Sequence, residues 1–186
     1  DVVTTLPREL QTGPVWDYLG IVRHKKRIED IGLRWSVVES IPLSNRIKLA
    51  LDGRDEDIEH YCQTIRNLGA AGIPTMCYNW MAVFGWMRTS LTTRTRGGAL
   101  ASTYDHEEMK NAPLTEHGEV SEEQLWENLE YFLKIVIPVA EEAGVKQALH
   151  PDDPPLSPVR GISRIITNVD AFQRVAHDFH AGIYQD

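Results

Sequence analysis

The run Ala148-Leu149-His150-Pro151-Asp152-Asp153-Pro154-Pro155 puts one imidazole and two carboxylates on a proline-stiffened stretch. A helical pattern, a glycine and a short apolar run precede it, so these groups stand where a strand passes into a loop. Strand C-termini are where α/β barrels keep their chemistry. An imidazole beside carboxylates suits a divalent cation. For one such stretch alone, a solvated loop that merely ends its strand is the plainer reading. The same phrase of helix, glycine, strand and polar exit occurs three times, which weighs against it.

The exits supply Glu39 and Ser40, then Tyr78, Asn79 and Trp80 with Trp86 and Arg88 beyond, then His150, Asp152 and Asp153. Asp186 stands at a fourth. Exits of a parallel sheet converge on one edge, so these residues could share a pocket. Arginine grips a carboxylate with two parallel hydrogen bonds. Asparagine and glutamate hold hydroxyls. Together the set suits a small polyhydroxylated acid. Taken singly, each has a duller account: Glu39 as a strand-end charge, Tyr78 and Trp80 as rim packing, Arg88 as partner to a surface carboxylate.

Helical patterns run over about 15–31, 55–71 and 122–143, closed by Gly32, Gly72 and Gly144, where a left-handed residue ends a helix at little cost. Short, mostly apolar runs follow at 33–40, 73–80 and 145–150, as buried parallel strands do. Ser121 and Gln124 make a capping-box pattern for the third helix. Its apolar face is Leu125, Leu129, Phe132, Leu133, Val136, Ile137 and Ala140, and Pro138 should kink or break it. Cys62 shares the inward stripe of the second helix with Ile58, Ile65 and Leu68, so it reads as core. Residues 1–6 read as a strand, Asn168 as the cap of a helix to about 178, and 181–184 as the start of another strand. This alternation implies βα units with right-handed crossovers. Segment 89–120 breaks the rhythm. It is polar, carries Arg94, Arg96 and Gly97-Gly98, and reads as an active-site loop over a barrel mouth or as a disordered insertion.

Composition bounds the rest. With 186 residues, 42% hydrophobic and 25% charged, the chain can build one domain around a real core. Its net charge of −8, and no basic cluster beyond Arg23–Arg27, argue against nucleic acid as a partner. Cys62 and Cys77 make neither a metal pair nor a disulfide framework, which fits a reducing cytoplasm. No apolar run reaches the ~18 residues of a membrane helix, and no signal peptide opens the chain. An eight-stranded barrel takes ~250 residues. This chain opens on a strand and stops as another begins, so it reads as part of a longer protein, or else as a smaller complete α/β sheet.

The segments Gly32 to Pro42, Cys77 to Met81 with Trp86 to Thr89, and Leu149 to Pro155 followed by Gly161 to Ile165 resemble the mannonate dehydratase family in order and spacing. The resemblance spans about 31–170. It implies an α/β fold, a xylose-isomerase-like (β/α)8 TIM barrel, of which residues 1–186 supply roughly the first five strands as one incomplete domain. It implies metal-dependent dehydration of D-mannonate to 2-keto-3-deoxy-D-gluconate in hexuronate breakdown, with Mn²⁺ or Fe²⁺. The family's metal-binding histidine maps onto His150. Glu39, Tyr78, Asn79, Trp80, Arg88 and Asp152 then stand as substrate-binding candidates.

Such a reaction needs a base for the proton α to the carboxylate and an acid for the departing β-hydroxyl. A divalent ion can stabilise the enediolate. The family's other metal ligands, a Cys, a second His and an Asp, fall on later strands, and its acid and base are expected beyond residue 186. Asp186 falls at or near the position of that Cys, and Leu6-Pro7-Arg8-Glu9-Leu10 replaces an opening His-His pair. One histidine is short of the three protein ligands usual in a catalytic metal site. A sugar isomerase or epimerase on the same barrel is the alternative enzyme. An inactive relative that binds a sugar acid, or self-assembles through open strand edges, is the alternative outside catalysis. A homo-oligomer is expected in either case.

Overall fold

A computed structural model describes residues 1–179. In chain order the elements are β1 (Val2–Thr4), α1 (Tyr18–Glu29), β2 (Trp35–Val38), α2 (Asn45–Lys48), α3 (Arg54–Ala70) and β3 (Thr75–Asn79). There follow β4 (Ser90–Arg94), β5 (Leu100–Thr103), α4 (His106–Met109), α5 (Glu122–Ala143), β6 (Lys146–His150) and α6 (Val169–Phe179). Strands β1, β2, β3 and β6 form one sheet in that spatial order, and every neighbouring pair is parallel. Helix α1 packs on α3 and α3 on α5, so these helices make one layer on one face. A strand order that never reverses, backed by helices on one side, is the progression of a singly wound α/β sheet rather than a doubly wound one.

Local chemistry sets the boundaries. The Asp17 side chain accepts from the Gly20 N–H and starts α1 three residues later than the apolar pattern suggests. Ser121 caps α5 through the Gln124 N–H, and Asn168 caps α6 through the Ala171 N–H. Gly32, Gly72 and Gly144 all have positive φ, as their places after helices require. Gly69 has a different reason: a Cβ there would lie 2.3 Å from the Ala143 carbonyl oxygen, so α3 and α5 can approach only at a glycine. Pro138 does not break α5, which runs unbroken over 22 residues. The proline lies on the exposed face, where water can satisfy the carbonyl one turn earlier.

The core lies between sheet and helices. Met76, Tyr78 and Trp80 point into it from β3 and its exit, against Tyr61 and Cys62 of α3 and Leu129, Phe132 and Leu133 of α5. Cys62 is buried, and burial pushes its thiol up to about 11, as a core cysteine rather than a nucleophile. Segment 89–120 contains the antiparallel ribbon β4–β5, turned through Gly97-Gly98, and the short helix α4. The strand expected at 181–184 and Asp186 lie outside the described residues.

Candidate active site at the strand exits

His150 ends β6 directly opposite Asn79, which ends β3. Side chains in a strand alternate between faces, so Cys77 and Asn79 share one face with Ala148 and His150, and Tyr78 points the other way. The His150 Nδ1 lies 2.6 Å from the Pro151 carbonyl oxygen. A carbonyl only accepts, so Nδ1 is the donor here, and in the neutral ring Nε2 keeps its lone pair. This arrangement fits a histidine for metal ligation through Nε2. The Trp86 ring meets the imidazole edge-on, with centroids 5.7 Å apart. Among the described residues, no group of three or more His, Cys, Asp and Glu side chains is placed to hold an ion. The described residues alone therefore do not assemble a metal site around His150.

Asn79 is held from below. Its Oδ1 accepts from the Lys48 ammonium at 3.3 Å and from the Met81 N–H at 3.2 Å. Lys48 also donates to the Met81 carbonyl at 2.9 Å, and its own carbonyl accepts from Asn128 of α5. This lysine is 5% exposed, and burial lowers its pKa to about 8. Glu39 sits exposed at the β2 exit, on the side of Val37, and its charge adds to the burial that raises the Cys77 thiol.

Asp152 is 3% exposed, and its carboxylate does not face an open pocket. Its Oδ2 accepts from the Ile165 and Ile166 N–H groups at 3.0 and 2.9 Å, while its own N–H donates to the Ile166 carbonyl. Burial raises its pKa, against the pull of those two N–H groups and of Arg164 and Lys48. Arg164, also buried, donates through Nη2 to the Phe84 and Gly85 carbonyls at 3.2 and 3.4 Å. Asp152 therefore braces the loop after β6 between two buried cations.

Three further candidates stand differently from the sequence expectation. Tyr78 and Trp80 lie on the helix side: their rings pack on Phe132, and the Trp80 indole N–H donates to the Leu125 carbonyl at 3.1 Å. Period-two alternation separates them from Asn79, so three consecutive strand residues do not line one pocket. Arg88 does present a bidentate fork, but Asp153 fills it, at 2.9 and 2.6 Å. The structure thus gathers Asn79, Trp86, Arg88, His150 and Asp153 at the exits, with Glu39 beside them, and places Tyr78, Trp80 and Asp152 in its supporting walls. Lys48 and Arg164 stand outside the strand-exit motifs of the sequence. Each is a single charge inside an Ile/Leu-rich run, which is the signal that would have found them.

The model of the D-mannonate dehydratase (UxuA) family matches residues 1–117 and 111–181. The two matches meet in the connection between α4 and α5. Mannonate dehydratase of Streptococcus pneumoniae (strain 70585) is 41% identical over 92% of this chain and 53% of its own length. That of Streptococcus agalactiae serotype V is likewise 41% identical, over 92% of this chain and 56% of its own length. The crystal structure of mannonate dehydratase from Streptococcus suis serotype 2 superposes with a TM-score of 0.85 at 40% identity, covering 97% of this chain and 54% of that one. The chain thus spans about half the length of the relatives it matches. Matched over nearly its whole length, the chain belongs to the D-mannonate dehydratase family.

Proposed function

We propose that the protein carrying this chain removes water from D-mannonate to give 2-keto-3-deoxy-D-gluconate in hexuronate breakdown. It does so in the cytoplasm, with a bound divalent metal, Mn²⁺ or Fe²⁺, on a closed (β/α)8 barrel that assembles as a homo-oligomer. The observation that carries this reading is His150: at a strand exit, tautomer fixed by the Pro151 carbonyl, with Nε2 free. His150 is the residue here that would hold the metal, whose chemistry is to stabilise negative charge developing on the substrate's carboxylate side. Asn79 has its Oδ1 engaged by Lys48 and Met81, which leaves its NH₂ group to donate to a sugar hydroxyl. Glu39 accepts from another at the β2 exit. Asp152 acts on the substrate only through the loop it braces. No helix among the described residues is long and apolar enough to cross a membrane.

The test is product analysis on the protein as its source cell makes it, incubated with D-mannonate and Mn²⁺. The expected product is a keto-deoxy acid one water lighter than the substrate, absent in His150→Ala. An isomeric sugar acid of unchanged mass would overturn dehydration in favour of isomerisation or epimerisation. Full activity and metal content in His150→Ala would overturn the assignment of His150.

A further inference from the structure

Of the five tryptophans, Trp16, Trp35 and Trp80 are buried core residues, and Trp126 lies under the Arg174 guanidinium. Trp86 alone is half exposed, at 50%. It stands at the strand exits with its ring against His150.

Its backbone is held on both sides. Before it, the Val83 N–H donates to Asn45 Oδ1 at 2.9 Å, and the Phe84 and Gly85 carbonyls accept from buried Arg164. After it, the Arg88 fork closes on Asp153, while Arg88 Nη1 binds the Met87 carbonyl and Nε binds Ser102 Oγ of β5. Val83 is left-handed at φ 63°, a conformation that a β-branched residue adopts only at a cost. A buried guanidinium and a strained valine are expensive means of holding a loop. Their common effect is to fix segment 83–88 across the β6 exit and to keep one large aromatic ring half exposed beside His150.

We propose that Trp86 is the aromatic wall on which the C–H face of the bound sugar acid rests, and that the Arg88–Asp153 pair is a positioning device for it. This rests on the sugar-acid reading above and adds a contact to it. A polyhydroxylated acid has polar edges, met here by Asn79 and Glu39, and an apolar C–H face that packs well on an indole. The Arg88 guanidinium is engaged by a protein carboxylate, so its part in substrate binding runs through Trp86. Trp86 touches substrate; Arg88 and Asp153 act through it.

The experiment compares Trp86→Ala, Trp86→Phe, Asp153→Asn and the double variant Trp86→Ala/Asp153→Asn, in the protein as its source cell makes it. KM and kcat for D-mannonate are measured alongside bound metal by elemental analysis. Trp86→Ala is expected to raise KM on the order of tenfold with kcat changed less and metal content intact. Trp86→Phe should recover most of the loss. Asp153→Asn should raise KM by a smaller factor, and the double variant should be no worse than Trp86→Ala, because the ion pair works through the indole. An unchanged KM in Trp86→Ala, or a loss of metal from it, overturns the wall. Additive effects in the double variant overturn the positioning role.

A wild-type protein inactive on D-mannonate would instead be a failure of the proposed reaction. The wall is then decided by acrylamide quenching of tryptophan fluorescence with D-mannonate or D-gluconate as probe. Shielding by either probe in wild type that is absent in Trp86→Phe supports it, and no such shielding overturns it.

Discussion

Two layers meet along β3, and they are held by opposite means. On the helix side, Tyr61, Tyr78 and Trp80 close around Phe132, with ring centroids 5.2 to 6.0 Å apart. Nearly everything there is apolar, and stability comes from area removed from water. At the exits, Lys48, Asp152 and Arg164 are equally buried but charged, and the loops hang on hydrogen bonds from side chain to backbone. The apolar layer can be remade from many sequences of similar volume. The exit layer cannot, because Lys48, Asp152 and Arg164 must meet particular backbone groups at fixed places: the Met81 carbonyl, the Ile165 and Ile166 N–H groups, and the Phe84 and Gly85 carbonyls. The chain holds its framework by burial and its site by fixed polar partners.

The contrast is broken most directly at Phe132. Phe132→Ala is expected to cost about 4 kcal/mol in urea unfolding, as truncation of a fully buried aromatic leaves a cavity with three rings around it. Phe132→Leu should cost far less. Equal losses for the two variants would mean that ring geometry, and not buried volume, holds this layer.

Asp152 tests the other side. Asp152→Ala leaves the Ile165 and Ile166 N–H groups without their acceptor and removes the carboxylate between Lys48 and Arg164. We expect a loss of about 3 kcal/mol, mostly from buried groups stranded without partners. Because the braced loop follows His150, metal affinity should fall as well. A loss under about 1 kcal/mol would show that water reaches this layer and takes over the bonds.

The same division explains what could be read in the sequence. The stripe from Leu125 to Ala140, the cap at Ser121 and Gly144 announce α5 because each is a local consequence of helix geometry. His150 was legible for the same reason, standing last in a short apolar run. The Arg88–Asp153 pair was not, since its members lie 65 positions apart and their meeting depends on how the ribbon folds back. Tyr78 and Trp80 were misplaced for a simpler reason: period-two alternation alone sends them to the face opposite Asn79. The ribbon β4–β5 had its signature too, in threonine-rich residues 89–95 leading to Gly97-Gly98, though polarity hid it.

Lys48 gives the smallest effect, and it shows how much charge the exit layer carries. Burial lowers its pKa from an ordinary 10.5 to about 8, against the pull of Asp152 and with a push from Arg164. Below about pH 8 the lysine is charged in both folded and unfolded states, and the folded state bears the full burial cost. Between about 8 and 10.5 the folded protein has shed the proton while the unfolded chain retains it. The unfolded state then binds more protons, so this group makes stability rise with pH across that window. Tyr61, Tyr78, Cys62 and Cys77, all pushed up by burial, act in the opposite sense at high pH, because the unfolded chain ionises first. A single stability curve would mix these contributions. The difference between wild type and Lys48→Met cancels the tyrosines and cysteines and isolates the lysine. We expect that difference, from urea midpoints at pH 7, 8, 9 and 10, to change little between pH 7 and 8 and then to shift in favour of wild type up to pH 10. A flat difference would mean that Lys48 titrates as in water, and that the exit layer is wet where the helix side is dry.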